Sequence, residues 1–178
     1  MKILIVYSSL TGTVAECAEM LSKNLSKHEV ECVNIENEEA PDMNEYYMTV
    51  VGGAIRYGKF SKKLRKYLSD NAEELEKGRT AYFLCCAYIE RTDEYFEDML
   101  TDEMRRNAVL TACFGGTLKV ERQKGFFMKM LVRAMRNEIV EHGESDDESV
   151  TRVLPEIVPA EISRAADRIM SKLREEKA

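Results

Sequence analysis

Histidine is scarce in this sequence, and its cysteines lack the spacing that most cysteine chemistry requires. His28 and His142 are the two histidines, and each lies in a polar segment. A zinc site or a histidine-based catalytic triad therefore has almost no residues to draw on. No C-x-x-C pair occurs among the five cysteines, which are Cys17, Cys32, Cys85, Cys86 and Cys113. We expect no bound metal and buried free thiols in a reducing compartment, with redox chemistry of the thiols as the alternative.

Long apolar runs are also absent. No stretch approaches the roughly 18 consecutive apolar residues of a membrane span. The sequence passes from Met1 and Lys2 directly into a short apolar run, without the apolar core or the cleavage site of a secretory signal. We therefore expect a cytoplasmic protein. The formal net charge is -6, and we expect no nucleic acid among its partners.

Charge is distributed unevenly along the chain. Residues 119–136 contain six cations and one acid, and residues 141–148 contain five acids. Residues 56–66 contain no acid and six cations, which are Arg56, Lys59, Lys62, Lys63, Arg65 and Lys66. Stretches of one sign are less usual than the alternating charges of an ordinary solvated helix face. The two basic stretches are therefore candidate interaction surfaces.

Short apolar runs alternate with longer amphipathic stretches. The apolar runs predict strands at residues 2–7, 30–35, 46–51, 80–86 and 109–114. Helical spacing of apolar residues predicts helices at 13–27, 60–76, 93–106 and 159–176. This alternation is typical of an α/β protein whose parallel sheet is covered by helices on both faces. We interpret residues 117–150 as an insertion near the fifth strand, with 150–154 completing that strand, and expect one domain over 1–178.

The loop between the first predicted strand and helix is rich in hydroxyl groups. Its residues are Ser8, Ser9, Leu10, Thr11, Gly12 and Thr13. Such a loop can surround a phosphate with backbone N–H groups, hydroxyls and the positive end of the following helix. It lacks the lysine of a nucleoside-triphosphate loop, and the chain has no G-x-G-x-x-G fingerprint. A phosphomonoester such as that of FMN suits this loop, and a turn that only caps the helix is the alternative.

The segment Ile5–Thr13 is similar to the flavodoxin signature, a hydrophobic strand followed by S/T-x-T-G-x-T. Val14 departs from that signature, because flavodoxins have a threonine at its position. The resemblance implies a flavodoxin-like three-layer sandwich with a five-stranded parallel sheet, and FMN as the cofactor. It assigns phosphate binding to Ser9, Leu10, Thr11, Gly12, Thr13 and Val14.

A second match follows the third predicted strand. Residues 53–58 occupy the place where flavodoxins carry the loop whose aromatic residue stacks on the flavin, and Tyr57 falls at that aromatic position. A flat ring system with polar edges favours an aromatic face and nearby backbone donors and acceptors. The fourth strand ends where the family has its other flavin loop. The resemblance therefore implies flavin contacts from Ala54, Ile55, Arg56, Tyr57, Gly58, Cys86, Ala87 and Tyr88.

Residues 50–60 also resemble a particular branch of the family, the menaquinone-dependent protoporphyrinogen IX dehydrogenases, in which I-R-Y-G recurs. That branch has a basic and apolar insertion near the fifth strand, similar to residues 126–131 here. The resemblance implies an FMN-dependent oxidoreductase that oxidises protoporphyrinogen IX with a quinone acceptor. One alternative is a one-electron carrier for a protein redox partner. Another is a response-regulator-like or nucleotide-binding module without flavin, but the acidic cluster of a phospho-acceptor domain is missing after the first strand.

Arg56 bears on the choice between an enzyme and a carrier. A cation near the flavin stabilises negative charge on the reduced ring, which raises the potential and favours two-electron withdrawal from a substrate. The basic stretch 56–66 can attract an anionic substrate such as a porphyrin with its propionates, or can be an ordinary solvated helix face. Residues 119–136 allow two interpretations as well: peripheral contact with the inner face of a membrane, or packing on the body of the domain.

Overall fold

The computed structural model describes residues 1–116, 129–130, 133–134 and 156–175. Within these residues, five strands form one parallel sheet in the spatial order β2-β1-β3-β4-β5. The strands are β1 (Lys2–Ser8), β2 (Glu29–Asn34), β3 (Met48–Ala54), β4 (Thr80–Cys85) and β5 (Leu110–Cys113). This architecture confirms the predicted flavodoxin-like α/β sandwich.

Helices cover both faces of the sheet. They are α1 (Thr13–Asn24), α2 (Lys62–Asp70), α3 (Ala72–Leu75), α4 (Thr92–Met99), α5 (Asp102–Asn107) and α6 (Pro159–Glu175), with short 3₁₀ turns at Met43–Glu45 and Ile89–Arg91. Helices α1 and α6 pack on one face, and α2 to α5 pack on the other. Each face has its own cluster of buried apolar side chains.

The central strand β1 shows why the strands are apolar throughout. Ile3 and Ile5 point into the cluster beneath α1 and α6, whereas Leu4 and Val6 point into the opposite cluster. All four side chains are fully buried. Successive residues of a strand face opposite sides, so a sheet covered on both sides needs apolar residues at every position.

Two helices predicted as continuous are interrupted, so their predicted extents are wrong. The helix expected at 60–76 breaks at Asn71, whose side-chain amide donates to the carbonyl of Tyr67 at 2.8 Å and ends α2. The helix expected at 93–106 breaks at Leu100, which is extended. The hydroxyl of Thr101 then accepts from the N–H of Met104 at 3.1 Å and starts α5 as an N-cap.

Strand β3 runs past its predicted end at residue 51, through Gly52 and Gly53, to Ala54. A Cβ at Gly52 would lie 2.0 Å from the ring of Phe83, and one at Gly53 would lie 2.4 Å from Leu64. Glycine is therefore required at both positions for β4 and α2 to approach β3. Because the strands approach closely, both glycines stay paired with β4, with Gly52 beside Phe83 and Gly53 beside Leu84.

Most of the predicted insertion, and residues 150–154 with it, lies outside the described residues. Residues 129–130 and 133–134 are helical and exposed. Residues 156–158 run antiparallel to the end of β5, where the N–H of Gly116 donates to the carbonyl of Glu156 at 3.2 Å and that of Val158 donates to Phe114 at 3.0 Å. No helix among the described residues is both long and apolar enough to cross a membrane.

The cysteines only partly follow the expectation of burial. Cys17, Cys85 and Cys86 are buried, and Cys113 is half-buried. Cys32 is exposed, so the prediction of burial is wrong for this residue. The reason is its place on β2, which is an edge strand whose one fully buried residue is Val33.

Candidate functional site

The predicted site residues emerge from neighbouring strands at one edge of the sheet. Ser8 at the end of β1 lies beside Gly53 of β3, and Ala54 lies beside Cys85 at the end of β4. The backbone N–H of Ile55 donates to the carbonyl of Cys85 at 2.9 Å. Between β1 and β3 the chain reverses the direction in which it adds strands, and such a switch point is where open α/β sheets bind ligands.

Asn34, at the end of β2, holds the start of the loop after β1. Its side-chain oxygen accepts from the N–H of Ser9 at 3.1 Å, and its side-chain amide donates to the carbonyl of Ser9 at 3.1 Å. The same oxygen accepts from the N–H of Glu36 at 3.2 Å. Sequence reasoning missed Asn34, although a polar residue closing a strand beside the loop was a readable signal.

The loop ends on the N-terminus of α1 in a form suited to an anion. Gly12 is the N-cap residue with φ of 89°, a left-handed conformation that favours glycine, and it has no side chain of its own to cap the helix. The hydroxyl of Ser9 accepts from the N–H of Ala15 at 3.2 Å, which leaves its hydrogen to donate elsewhere. Exposed backbone N–H groups and the helix dipole favour negative charge at such an end.

The other members of this loop differ in exposure. Leu10 is exposed, Thr11 is half-buried and Thr13 is buried. Val14 is buried in the cluster beneath α1 and α6, so its side chain faces the core rather than the loop. A ligand at the loop would therefore meet the backbone of Val14 and not its side chain. Where flavodoxins have a threonine hydroxyl, this chain has a valine side chain that packs in the core.

The loop after β3 is a tight hairpin that exposes an aromatic ring. The N–H of Arg56 donates to the carbonyl of Lys59 at 2.9 Å, and the N–H of Lys59 donates back at 3.1 Å. Between them, Tyr57 and Gly58 have φ of 53° and 75°, the positive values that a type I′ turn requires. The side chain of Tyr57 is 71% exposed. The hairpin therefore exposes the ring of Tyr57 at the edge of the sheet where the switch point lies.

The third predicted loop, Cys86–Tyr88, follows β4, which is the neighbour of β3 in the sheet. The N–H of Cys86 donates to the carbonyl of Gly115 at 3.0 Å, and its thiol contacts the carbonyl of Tyr88 at 3.3 Å. Ala87 and Tyr88 are half-buried. A Cβ at Gly116 would lie 2.5 Å from the carbonyl oxygen of Cys86, so this loop and the residues after β5 are in close contact.

A hydroxyl–carboxylate network joins the edge of the sheet to the start of α2. Ser8 and Ser61 both donate hydroxyl hydrogen bonds to one carboxylate oxygen of Glu36, at 2.5 and 2.8 Å. Ser61 also caps α2 by accepting from the N–H of Leu64 at 3.2 Å. Lys63 donates to the carbonyl of Glu36 at 2.8 Å. Sequence reasoning missed Glu36 and Ser61, because the network joins residues far apart in the chain.

The basic stretch 56–66 lies around the hairpin and on α2. Arg56 is half-buried, and Lys59 and Lys62 are exposed. Lys66 forms an ion pair with Asp70. The first turn of α2 contains no acid, although its positive end favours acidic residues. Among the described residues, no group of three or more histidine, cysteine or acidic side chains is placed to hold a metal.

Comparison with known proteins decides the family. The profile of the family described as "Flavodoxin domain" matches residues 4–147. The chain belongs to this family. A point mutant of Fusobacterium nucleatum flavodoxin bound to flavin mononucleotide has a similar fold, with a TM-score of 0.50, 14% identity and 96% of each chain covered. The flavodiiron core of Synechocystis sp. PCC6803 also has a TM-score of 0.50, at 12% identity, covering 94% of this chain and 36% of that one.

One group of curated relatives matches at the level of sequence. An 85-residue stretch is 27% identical to the protoporphyrinogen IX dehydrogenase (quinone) of Escherichia coli strain K12, covering 47% of each protein. The matched stretch spans about half the length of these curated relatives. At the level of the family, the predicted cofactor is confirmed, because FMN is the cofactor of flavodoxin domains. The predicted membership of the flavodoxin family is confirmed as well.

Proposed function

We propose that this flavodoxin-domain protein holds one FMN across the loops after β1 and β3 and transfers electrons through it. The observation that carries the proposal is the pairing of two features at the switch point. The N-terminus of α1 has a glycine N-cap with the hydroxyl of Ser9 on the N–H of Ala15, and the hairpin after β3 exposes Tyr57. Bound FMN would supply reversible one- or two-electron chemistry.

The phosphate end of the ligand fits the loop after β1. Ser9 has a hydroxyl hydrogen to donate, and its position is fixed by Asn34 and by the N–H of Ala15. Thr11 adds a half-buried hydroxyl, and the first turn of α1 contributes backbone N–H groups and a positive dipole. Charge-assisted hydrogen bonds from such groups are stronger than neutral ones and favour a phosphate that carries two negative charges.

The ring end fits the hairpin and the loop 86–88. Tyr57 offers an aromatic face, and the tight turn fixes the backbone that carries this side chain. The backbone of Cys86 is held against Gly115, so the loop is ordered before a ligand arrives. A preformed site loses little conformational entropy on binding, which improves affinity.

Titration of flavin-free protein with FMN, followed by flavin fluorescence, tests this proposal. We expect one FMN per chain. The double substitution Ser9→Ala with Thr11→Val should weaken FMN binding by about 1–3 kcal/mol, or about 5- to 150-fold. Riboflavin, which has the ring but no phosphate, is the matched control and should bind wild type and variant equally. No FMN uptake, or an equal loss for riboflavin, would contradict the proposed phosphate site.

The finer part of the proposal is oxidation of protoporphyrinogen IX with a quinone as acceptor. The similarity to the Escherichia coli dehydrogenase supports it over 85 residues. The cations at the sheet edge support an anionic substrate, since Lys62 and Lys63 occupy the first turn of α2, where the helix dipole opposes them. Cations at this place can attract the carboxylates of a porphyrin to the flavin edge.

Arg56 is the residue proposed to tune the flavin, because it lies in the hairpin next to Tyr57. Arg56→Ala should lower the two-electron midpoint potential by about 30 mV, the equivalent of about 1.4 kcal/mol, whereas Arg56→Lys keeps the charge and should keep the potential. Protoporphyrinogen oxidation with a menaquinone analogue should slow in Arg56→Ala. Electron transfer to a protein partner without any such oxidation would favour the alternative, a carrier that uses the basic face for docking.

Peripheral membrane contact through 119–136 stays a prediction.

A further inference from the structure

Four of the cysteines form two contacting pairs. The sulfurs of Cys86 and Cys113 are 3.6 Å apart, and those of Cys17 and Cys85 are also 3.6 Å apart. These are contacts between reduced thiols, because the sulfurs of a disulfide are only about 2.05 Å apart. In each pair, a movement of the sulfurs by about 1.5 Å would bring them to bonding distance.

The two pairs differ in their access to solvent. Cys17 and Cys85 lie between α1 and the sheet, and their exposed fractions are 0% and 3%. Cys86 is buried at the carboxyl end of β4, but its partner Cys113 is half-buried at the end of β5. Thiol–disulfide exchange begins with the approach of a disulfide to a thiolate, so the half-buried residue Cys113 is better placed to react than the fully buried pair.

The two pairs also differ in how readily they ionise. The thiol of Cys86 and the backbone N–H of Gly115 lower the pKa of Cys113 below its ordinary value, against the opposing effect of burial. The same contact with Cys113, together with burial, raises the pKa of Cys86. Contact with Cys17 and burial raise the pKa of Cys85 well above its ordinary value. The 86–113 pair therefore combines an attacking thiolate with a neighbouring thiol that can complete the exchange.

We propose that Cys86 and Cys113 are a redox-active dithiol that reacts with low-molecular-weight disulfides and closes into an intramolecular disulfide. In the first step, the thiolate of Cys113 attacks one sulfur of the disulfide, forms a mixed disulfide and releases one thiolate. In the second, Cys86 gives up its proton and attacks the sulfur of Cys113, which releases the second thiolate. The protein loses two electrons and two protons, and the disulfide becomes two thiols.

Closure would join the ends of β4 and β5. The register places Cys113 beside Leu84, two residues before Cys86, so the new bond would run diagonally between adjacent strands. It would also replace the contact of the Cys86 thiol with the carbonyl of Tyr88. The exchange itself requires no flavin, so a failure of the proposed FMN site would leave this inference intact.

Reaction of the full-length chain with glutathione disulfide at neutral pH tests the proposal. The experiment uses a Cys32→Ser background, because Cys32 is exposed and would form adducts of its own. After alkylation, trypsin digestion and mass spectrometry, we expect residues 80–91 to be linked to residues 107–119, with two fewer alkylated thiols. Fragmentation of the linked peptides distinguishes Cys86 from its neighbour Cys85. Dithiothreitol should reverse the link.

Substitutions separate the two steps. Cys113→Ser should abolish the link, whereas Cys86→Ser, or Cys86→Ala if the serine variant does not fold, should trap glutathione on Cys113. The 17–85 pair is the internal control of equal sulfur–sulfur distance and should stay reduced in the folded protein. A link between Cys17 and Cys85, the absence of any 86–113 link, or the absence of a trapped glutathione in a folded Cys86 variant would each overturn the proposal.

Discussion

Tyr57 is expected to weaken the fold while it strengthens flavin binding. Among the described residues it is the one non-glycine residue with positive φ, and its side chain is 71% exposed. The left-handed conformation costs an ordinary residue about 1–2 kcal/mol, and a side chain that is mostly exposed regains little of this by burial. Asparagine followed by glycine is among the preferred sequences for a type I′ turn. Tyr57→Asn should therefore stabilise the flavin-free protein by about 1 kcal/mol.

The same substitution should weaken FMN binding. Stacking of a flat heteroaromatic ring on an aromatic side chain contributes about 1–3 kcal/mol, judged from bases stacked on aromatic residues. Loss of the ring should thus reduce FMN affinity by about 5- to 150-fold. Stability and affinity would then change in opposite directions at a single position, which a general defect in folding cannot produce.

Thermal unfolding and FMN titration of the same preparations test both effects. Unfolding is measured on flavin-free protein, since a bound ligand raises the midpoint by itself. For a chain of this size, 1 kcal/mol corresponds to a rise of about 2–4 °C. Tyr57→Phe keeps both the strained φ and the ring, and should lie closer to the wild type than Tyr57→Asn in both measurements. A lower midpoint for Tyr57→Asn without flavin, or unchanged FMN affinity, would refute the reasoning.

Three further substitutions, one of them with a matched control, test the fold and the charged edge. Lys62→Glu should stabilise the protein by about 0.3–1 kcal/mol in urea unfolding, because it places an acid at the positive end of α2, and it should slow turnover of an anionic substrate. The control Arg65→Glu lies further along the same helix and should give a smaller gain in stability. Gly52→Ala should destabilise the protein by about 1–3 kcal/mol in the same assay, since its Cβ would lie 2.0 Å from the ring of Phe83. Asn34→Ala should cost about 1–3 kcal/mol and weaken FMN, because two backbone N–H groups lose their acceptor.

Much of the architecture could be predicted from the sequence, because the signals are local. The central strands β1, β3 and β4 are covered on both faces, and this requirement appears directly as nearly unbroken apolar sequence. Helix breaks were harder to predict, since apolar spacing continues across them. Thr101 interrupts the predicted helix because its side chain caps the start of α5. Asn71 ends α2 because its side chain binds the carbonyl of Tyr67.

The candidate site was predicted in part for the same reason. The loops that contain Gly12 and Tyr57 follow directly after strands, and their glycines mark turns that only positive φ permits. Asn34 and Glu36 were not found, because their partners lie 25 to 28 residues away in the chain. The hydrophobic periodicity of a sequence does not show which side chains of separate strands are in contact.

The sequence by itself determined the parallel α/β framework, the family and the two loops at which a flavin is proposed to bind, because all of these depend on residues within one strand and the turn after it. Only the tertiary structure decided that Val14 faces the core, that Tyr57 is held out on a strained hairpin and that Cys86 contacts Cys113 rather than its neighbour Cys85. Successive strand residues point to opposite faces, so Cys85 and Cys86 enter different clusters. Cys85 meets Cys17 of α1, which packs on its face, whereas Cys86 meets Cys113 of the neighbouring strand β5.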